Sequence, residues 1–354
     1  MKKTSKIMSL VLAGAMVLSM TACAGNTAET TSAAAKTQET AADTASKAEE
    51  TTRAEASESE TAAKAEGTTY KIGVLQLVQH TALDAANDGF IAALDDAGIA
   101  YEVDQQNASG DQSACQTVAS KFANEKKDLI LAIATPAAQA MVGAVEDTPV
   151  LITAVTDPAE SGLVDTNEKP GANVTGTSDL TPVKEQIDLL KQLVPEAKTV
   201  GVLYCSAESN SKIQADMAKE AIAAAGMESK EYTVSSSNEI QTVVQSMVGA
   251  VDAVYAPTDN VIAAGMATVG MVAGDNNLPV ICGEAGMVQN GGLATYGIDY
   301  YQLGYMTGQQ AVKILTEGAS PADMPIEYLP AEKCELTVNE ETAQTLGIDV
   351  SGLK

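Results

Sequence analysis

The chain has no tryptophan, two phenylalanines and one histidine, and its 21 lysines and arginines are outnumbered by 47 aspartates and glutamates. Each scarcity excludes something. A lone histidine, His80, cannot make a paired-histidine metal site, and no HExxH or GxSxG motif gives it a catalytic partner. With aromatics at 3%, the interior has to be packed from Ala, Val, Ile, Leu and Met, and the ring platforms that usually hold sugars are scarce. A formal net charge of -26 repels nucleic-acid phosphates and anionic headgroups, so no nucleic-acid partner is expected. The five cysteines include no CxxC pair, which argues against a zinc or redox site and predicts that Cys115, Cys205, Cys282 and Cys334 are mostly buried free thiols. No cofactor motif and no nucleophile with a base remains, so the chemistry expected is binding rather than turnover.

The amino terminus departs from this composition. Lys2, Lys3 and Lys6 precede an apolar run at 7–20 that is too short to span a bilayer but has the form of a signal-peptide core. Met20-Thr-Ala-Cys23 follows. The segment resembles a bacterial lipoprotein signal, which implies a signal peptide at 1–22, a lipid-modified Cys23 and export to the outer face of the cell membrane. The resembling pattern usually has Leu three places before the Cys, where this chain has Met20. From 24 to 68 the chain is Ala, Thr, Ser, Glu and Lys with almost no large apolar residue. It cannot bury enough surface to offset its ordering entropy, and a flexible tether is predicted over 23–68.

What is present in the remainder is a repeat. Lys71-Ile-Gly-Val-Leu75, a helical stretch and Asp128-Leu-Ile-Leu-Ala-Ile133 recur as Thr199-Val-Gly-Val-Leu203, another helical stretch and Asp252-Ala-Val-Tyr-Ala256. Short apolar runs alternating with helices predict parallel sheets covered by helices. The spacing places strands at 71–77, 100–105, 128–133, 149–153 and 173–176, then at 199–204, 228–234, 252–256 and 279–282. Further strands are expected at 291–298, 326–329 and 335–338. Helices are predicted at 82–97, 111–125, 137–146, 182–193, 209–225, 238–248, 260–273 and 300–316. Two α/β, flavodoxin-like doubly wound parallel-sheet lobes around a central cleft result, and such sheets bind ligands beyond the carboxyl ends of their strands.

The residues at those ends are the candidate ligand contacts. Gln76 and His80 follow the first strand. Thr135, Pro136 and Ala137 open a helix whose free amides suit a carboxylate, unless Thr135 only caps that helix. Thr156 and Asp157 end one strand and Thr258, Asp259 and Asn260 end its counterpart; Asp259 is the leading partner for a ligand ammonium, with a helix N-cap as the alternative for both acids. Asn210, Ser211 and Glu284 complete a polar shell.

Several stretches together resemble one family: Gln79-His-Thr-Ala-Leu-Asp-Ala85, Ile133-Ala-Thr-Pro-Ala-Ala-Gln139, Ala154-Val-Thr-Asp-Pro158, Asn173-Val-Thr-Gly-Thr-Ser-Asp179, Glu208-Ser-Asn-Ser211 and Pro257-Thr-Asp-Asn260. They look like the substrate-binding lipoproteins of ABC transporters, of the type that takes tryptophan and related amino acids. The resemblance implies a type I periplasmic-binding-protein fold with three crossings between lobes, placed near 177–181, 284–291 and 318–326. Lobe 1 is then 69–178 plus 291–320 and lobe 2 is 179–290 plus 321–354. It also implies a monomer that closes on a small amino acid, aromatic or branched, and delivers it to an ABC permease; a sugar or nucleoside receptor or a sensor subunit is the alternative. The family usually has Glu before the His and Pro after it, where this chain has Gln79 and Thr81.

Overall fold

The computed structural model describes residues 68–353. The expected signal peptide, Cys23 and tether lie outside the described residues. Those residues form β1 (Tyr70–Gln76), α1 (Thr81–Asp96), β2 (Tyr101–Asn107), α2 (Gln112–Glu125), β3 (Leu129–Ile133), α3 (Thr135–Val142), β4 (Val150–Val155) and β5 (Val174–Ser178). A second series follows: α4 (Val183–Leu193), β6 (Thr199–Cys205), α5 (Ser209–Ala224), β7 (Glu228–Val234), α6 (Ile240–Met247), β8 (Ala253–Ala256), α7 (Asn260–Ala264), α8 (Met266–Asp275), β9 (Val280–Cys282), α9 (Ala285–Gln289) and β10 (Ala294–Gly297). The tail adds α10 (Tyr300–Glu317), β11 (Glu327–Tyr328), β12 (Glu335–Val338) and α11 (Glu340–Leu346).

The strands make two six-stranded sheets, ordered β11-β5-β4-β3-β1-β2 and β12-β10-β9-β8-β6-β7. All described pairings are parallel except β10 with β12. The repeat is thus a repeat of topology: β1 sits between β2 and β3 as β6 sits between β7 and β8. Strands β3, β4 and β5 are buried along their whole length, as parallel strands covered on both faces must be; β3 accordingly reads as an unbroken apolar run and β4 nearly so, whereas β5 buries Thr175, Thr177 and Ser178.

The lobe boundaries differ from expectation at two points. The strand expected at 291–298 was assigned to lobe 1, but β10 pairs with β9 and β12 and completes the second sheet. The chain crosses only after it, so α10 returns to lobe 1 and packs along α1. The last crossing lies at 329–334, because β11 pairs with β5 and β12 with β10. The helix expected over 260–273 is broken at Gly265 into α7 and α8, and α9 and α11 are additional.

Cores are aliphatic, and both phenylalanines are spent in lobe 1. Phe90 and Phe122 are fully buried, and the Phe122 ring lies where a Gly73 side chain would project. Neither ring is left to stack on a ligand. Cys115 is buried in the core of lobe 1, Cys205 and Cys282 in that of lobe 2, and Cys334 is partly buried; all four are free thiols. Among the described residues no helix is long and apolar enough to cross a membrane.

Candidate functional site

The carboxyl ends of both sheets face one another across a narrow polar cavity. Lobe 1 contributes His80, Leu83, Ala154, Asp179 and Tyr300, and lobe 2 contributes Asn210, Thr258, Asp259, Asn260, Ala263 and Glu284. No lysine or arginine lines it. Direct bonds join the lobes around it: His80 Nε2 lies 3.2 Å from Asn260 Oδ1, Gln214 Nε2 donates to the Thr156 hydroxyl at 2.9 Å, and Gln112 Nε2 donates to the Ala207 carbonyl at 3.2 Å.

On the lobe 1 side, two strand ends have left-handed backbone at alanine: Ala134 after β3 has φ 81° and Ala154 at the end of β4 has φ 54°. Such strain costs on the order of 1 kcal/mol or more per residue and clusters at ligand sites. Thr135 is buried, yet its hydroxyl makes no cap to α3 and no other hydrogen bond. The capping alternative for Thr135 is therefore not what the structure adopts.

Asp179, just beyond β5, accepts from the Tyr300 hydroxyl at 2.8 Å on one oxygen and has no partner on the other, Oδ1. Burial pushes its carboxyl up to about 6, against hydrogen bonds from Tyr300 and Thr156. Glu284 caps α9, accepting from the amides of Met287 at 2.8 Å and of Gly286. Burial carries it up to about 7, with the Asp179 charge adding to the effect. Glu208 accepts on Oε2 from Asn260 Nδ2 at 2.6 Å and Asn210 Nδ2 at 3.1 Å, and Oε1 has no partner. Burial and the neighbouring Asp259 push it up to about 8. His80 is pushed below its ordinary value by burial, and its Nδ1 is unpartnered.

Asp259 is the main correction to the sequence reading. One oxygen accepts from the Ile262 amide at 2.8 Å as the cap of α7, and the other from the Cys205 amide at 2.5 Å, with the Ser211 hydroxyl also bonded to the carboxylate. Its lone pairs are occupied by lobe 2 itself, so the N-cap alternative holds. Asp157 is also structural: it accepts from the Glu160 amide and Asn167 Nδ2, both at 3.0 Å, and orders the loop after β4. Gln76 donates to Asp84 at 2.6 Å and to the Val78 carbonyl at 2.9 Å, bracing the β1–α1 turn.

Of the thirteen candidate contacts, His80, Asn210, Thr258, Asp259, Asn260 and Glu284 meet at the cavity. Thr156 bonds to Asp179 and Ser211 to Asp259 on its wall, Thr135, Pro136 and Ala137 form the buried first turn of α3, and Gln76 and Asp157 are turned to local structure. Asp179 and Tyr300, which line the cavity, and Glu208 and Gln214, which bond to residues that line it, are not among the candidates. Asp179 directly follows β5, and the strand-end rule would have found it had 177–181 not been read only as a crossing. Among the described residues no group of three or more His, Cys, Asp or Glu side chains is arranged to hold a metal ion.

The buried acids set a pH dependence. Asp179, Glu208 and Glu284 have folded values near 6, 8 and 7 against ordinary values of 3.8, 4.5 and 4.5, so the folded state binds protons more tightly than the unfolded chain. Their contribution to stability is largest below about pH 4 and is lost as pH rises through the folded values. His80 opposes them around pH 6.5, being one group against three. The midpoint of urea unfolding is expected to fall between pH 5 and 8; a midpoint that rises across this window would contradict the assignment.

Two doubly wound lobes joined by three crossings, with a polar cavity enclosed between their strand ends, define a type I periplasmic-binding-protein fold. The chain belongs to the ABC transporter substrate binding protein family, whose profile matches residues 71–352. It is a family of binding proteins rather than enzymes. A tyrosine-binding protein of Clostridioides difficile (strain R20291) is 40% identical over 351 residues, covering 98% of this chain and 93% of that protein. The crystal structure of an ABC domain in complex with L-Trp from Streptococcus pneumonia is 39% identical, with a TM-score of 0.78 over 80% of this chain and 97% of that one. A ligand-free, open substrate binding protein with adhesive properties from Clostridium difficile is 46% identical, with a TM-score of 0.62 over 81% and 97%.

Proposed function

We propose that this protein is the solute-binding lipoprotein of an ABC importer and captures an aromatic amino acid by closure of its two lobes. The observation that carries the reading is the unpartnered Asp179 Oδ1 on the wall of an inter-lobe cavity that no lysine or arginine lines. A buried carboxylate oxygen with no donor calls for a cationic group from the ligand. Asp179, supported by Glu284, takes the ammonium, and the strained Ala154 turn with Thr135 and the first turn of α3 takes the carboxylate. Tyrosine and tryptophan binding by the relatives supports the side-chain class. The higher TM-score to the L-Trp complex than to the open protein, despite lower identity, supports reading this conformation as closed.

Closure excludes water from these contacts, and the ligand stabilises the closed form by its differential affinity for it. Cys23 carries the lipid anchor at the outer face of the membrane, and a monomer presents its cargo to the permease. The test is calorimetric titration of the purified chain with tyrosine, tryptophan, phenylalanine, leucine, ribose and a nucleoside. Saturable binding of an aromatic amino acid is expected; binding of the sugar or nucleoside alone would replace the reading, and silence from the whole panel would end it.

A further inference from the structure

Among the described residues, the hydrogen bonds that cross between the lobes are not alike. Those of Gln112 and of Gln139, whose Nε2 donates to the Ser209 hydroxyl at 3.3 Å, are exposed, and that of His80 with Asn260 is half-buried. The bond from Gln214 Nε2 to the Thr156 hydroxyl is fully buried, between residues 0% and 2% exposed. Gln214 belongs to α5 of lobe 2, where its Nε2 also donates to the Thr258 hydroxyl, and it does not line the cavity. An amide nitrogen only donates, so Thr156 accepts from it and keeps its own hydrogen to give. That hydrogen goes to Asp179, because an ionised carboxylate only accepts. A one-way chain therefore runs from Gln214 in lobe 2 through Thr156 to the acid that lines the cavity in lobe 1. Each bond in such a chain polarises the next, and a negative charge at its accepting end strengthens both.

We propose that Gln214 is a positioning residue for lobe closure, a buried latch whose bond to Thr156 tightens when a ligand ammonium holds Asp179 ionised; the inference rests on the amino-acid reading above. Parting the lobes breaks the chain at its one inter-lobe link and leaves the Gln214 N–H to water. Gln214 touches no ligand, so it sets how long the lobes stay shut and not how the ligand meets the open form. Its loss acts on release rather than on association.

The probe is whichever of tyrosine and tryptophan the wild-type chain binds more tightly. Calorimetry gives Kd, rapid dilution of the radiolabelled amino acid gives the release rate, and their ratio gives the association rate. Gln214→Met, close in length and without a donor, is expected to raise Kd and the release rate together by about tenfold, with the association rate within about twofold of wild type. Thr156→Val, nearly isosteric, breaks the same link from the other lobe and should speed release at least as much, so the test stands where Gln214→Met folds poorly. The double variant should be no worse than Thr156→Val alone, because both substitutions cut one chain. Gln139→Ala removes an exposed crossing bond and should change Kd by less than about twofold. Wild-type release from either latch variant, a loss carried by the association rate, or single effects that multiply in the double variant would overturn the role of Gln214 while leaving the amino-acid site standing. Binding of neither amino acid by the wild type would instead remove the reading beneath it.

Discussion

Asp179→Ala is expected to weaken amino-acid binding by about 100-fold or more without unfolding the protein, while Asp259→Ala unfolds the protein more readily. The two acids border one cavity, and their hydrogen bonds separate them. Asp179 has an oxygen with no protein partner, and truncating one side of a desolvated charge pair costs about 2–5 kcal/mol of binding. In the free protein its removal relieves a buried carboxyl that burial has pushed up to about 6, at the expense of one bond from Tyr300. Asp259 instead satisfies the Ile262 and Cys205 amides. Losing the cap costs about 1 kcal/mol and stranding a buried amide about 1–3 kcal/mol more, so unfolding moves before selectivity does. Urea denaturation and calorimetry of both variants check the contrast; an Asp179→Ala protein of wild-type affinity would refute it.

Gly304→Ala is expected to destabilise the protein by about 3 kcal/mol or more, and Gly304→Leu to prevent folding. An alanine normally improves a helix interior by about 1 kcal/mol over glycine. Here α10 lies so close on α1 that a Cβ at 304 would overlap the Ala86 carbonyl, and Gly89 and Gly308 are confined by the facing backbone in the same way. Overpacking cannot be relieved by a rotamer change when the obstacle is main chain, so the helices must separate. Gly274→Ala is the control: near the end of α8, nothing lies within 4 Å of the added Cβ, and the change should be neutral or slightly stabilising. Equal denaturation midpoints for the two alanine variants would contradict the close packing.

The contrast between these sites explains what could be read in advance. Strands such as Leu129–Ile133 and Val150–Val155 were legible because burial on both faces leaves almost nothing but apolar residues in them, Thr153 being the exception. The sheet that β10 joins was not, because Ala294–Gly297 carries no mark of its neighbour; pairing with Cys282's strand is a long-range outcome. The five-residue α9 and seven-residue α11 are too short for a helical period to show. In the site, six candidate residues from four loops converged because strand ends in doubly wound sheets point one way. Their roles were harder. Whether an acid at a strand end caps its helix or waits for a ligand depends on amides from elsewhere, and for Asp259 the deciding one is Cys205, 54 residues away in sequence. Asp157 is settled by Asn167 in the same manner.

The central claim is a two-ended grip on an amino acid, with Asp179 on its ammonium. Calorimetric titration of the wild-type chain with tyrosine and with its analogue lacking the amino group tests it most directly. Tyrosine is expected to bind saturably, and the deaminated analogue to bind at least about 100-fold more weakly. Equal affinity for the two would contradict the claim.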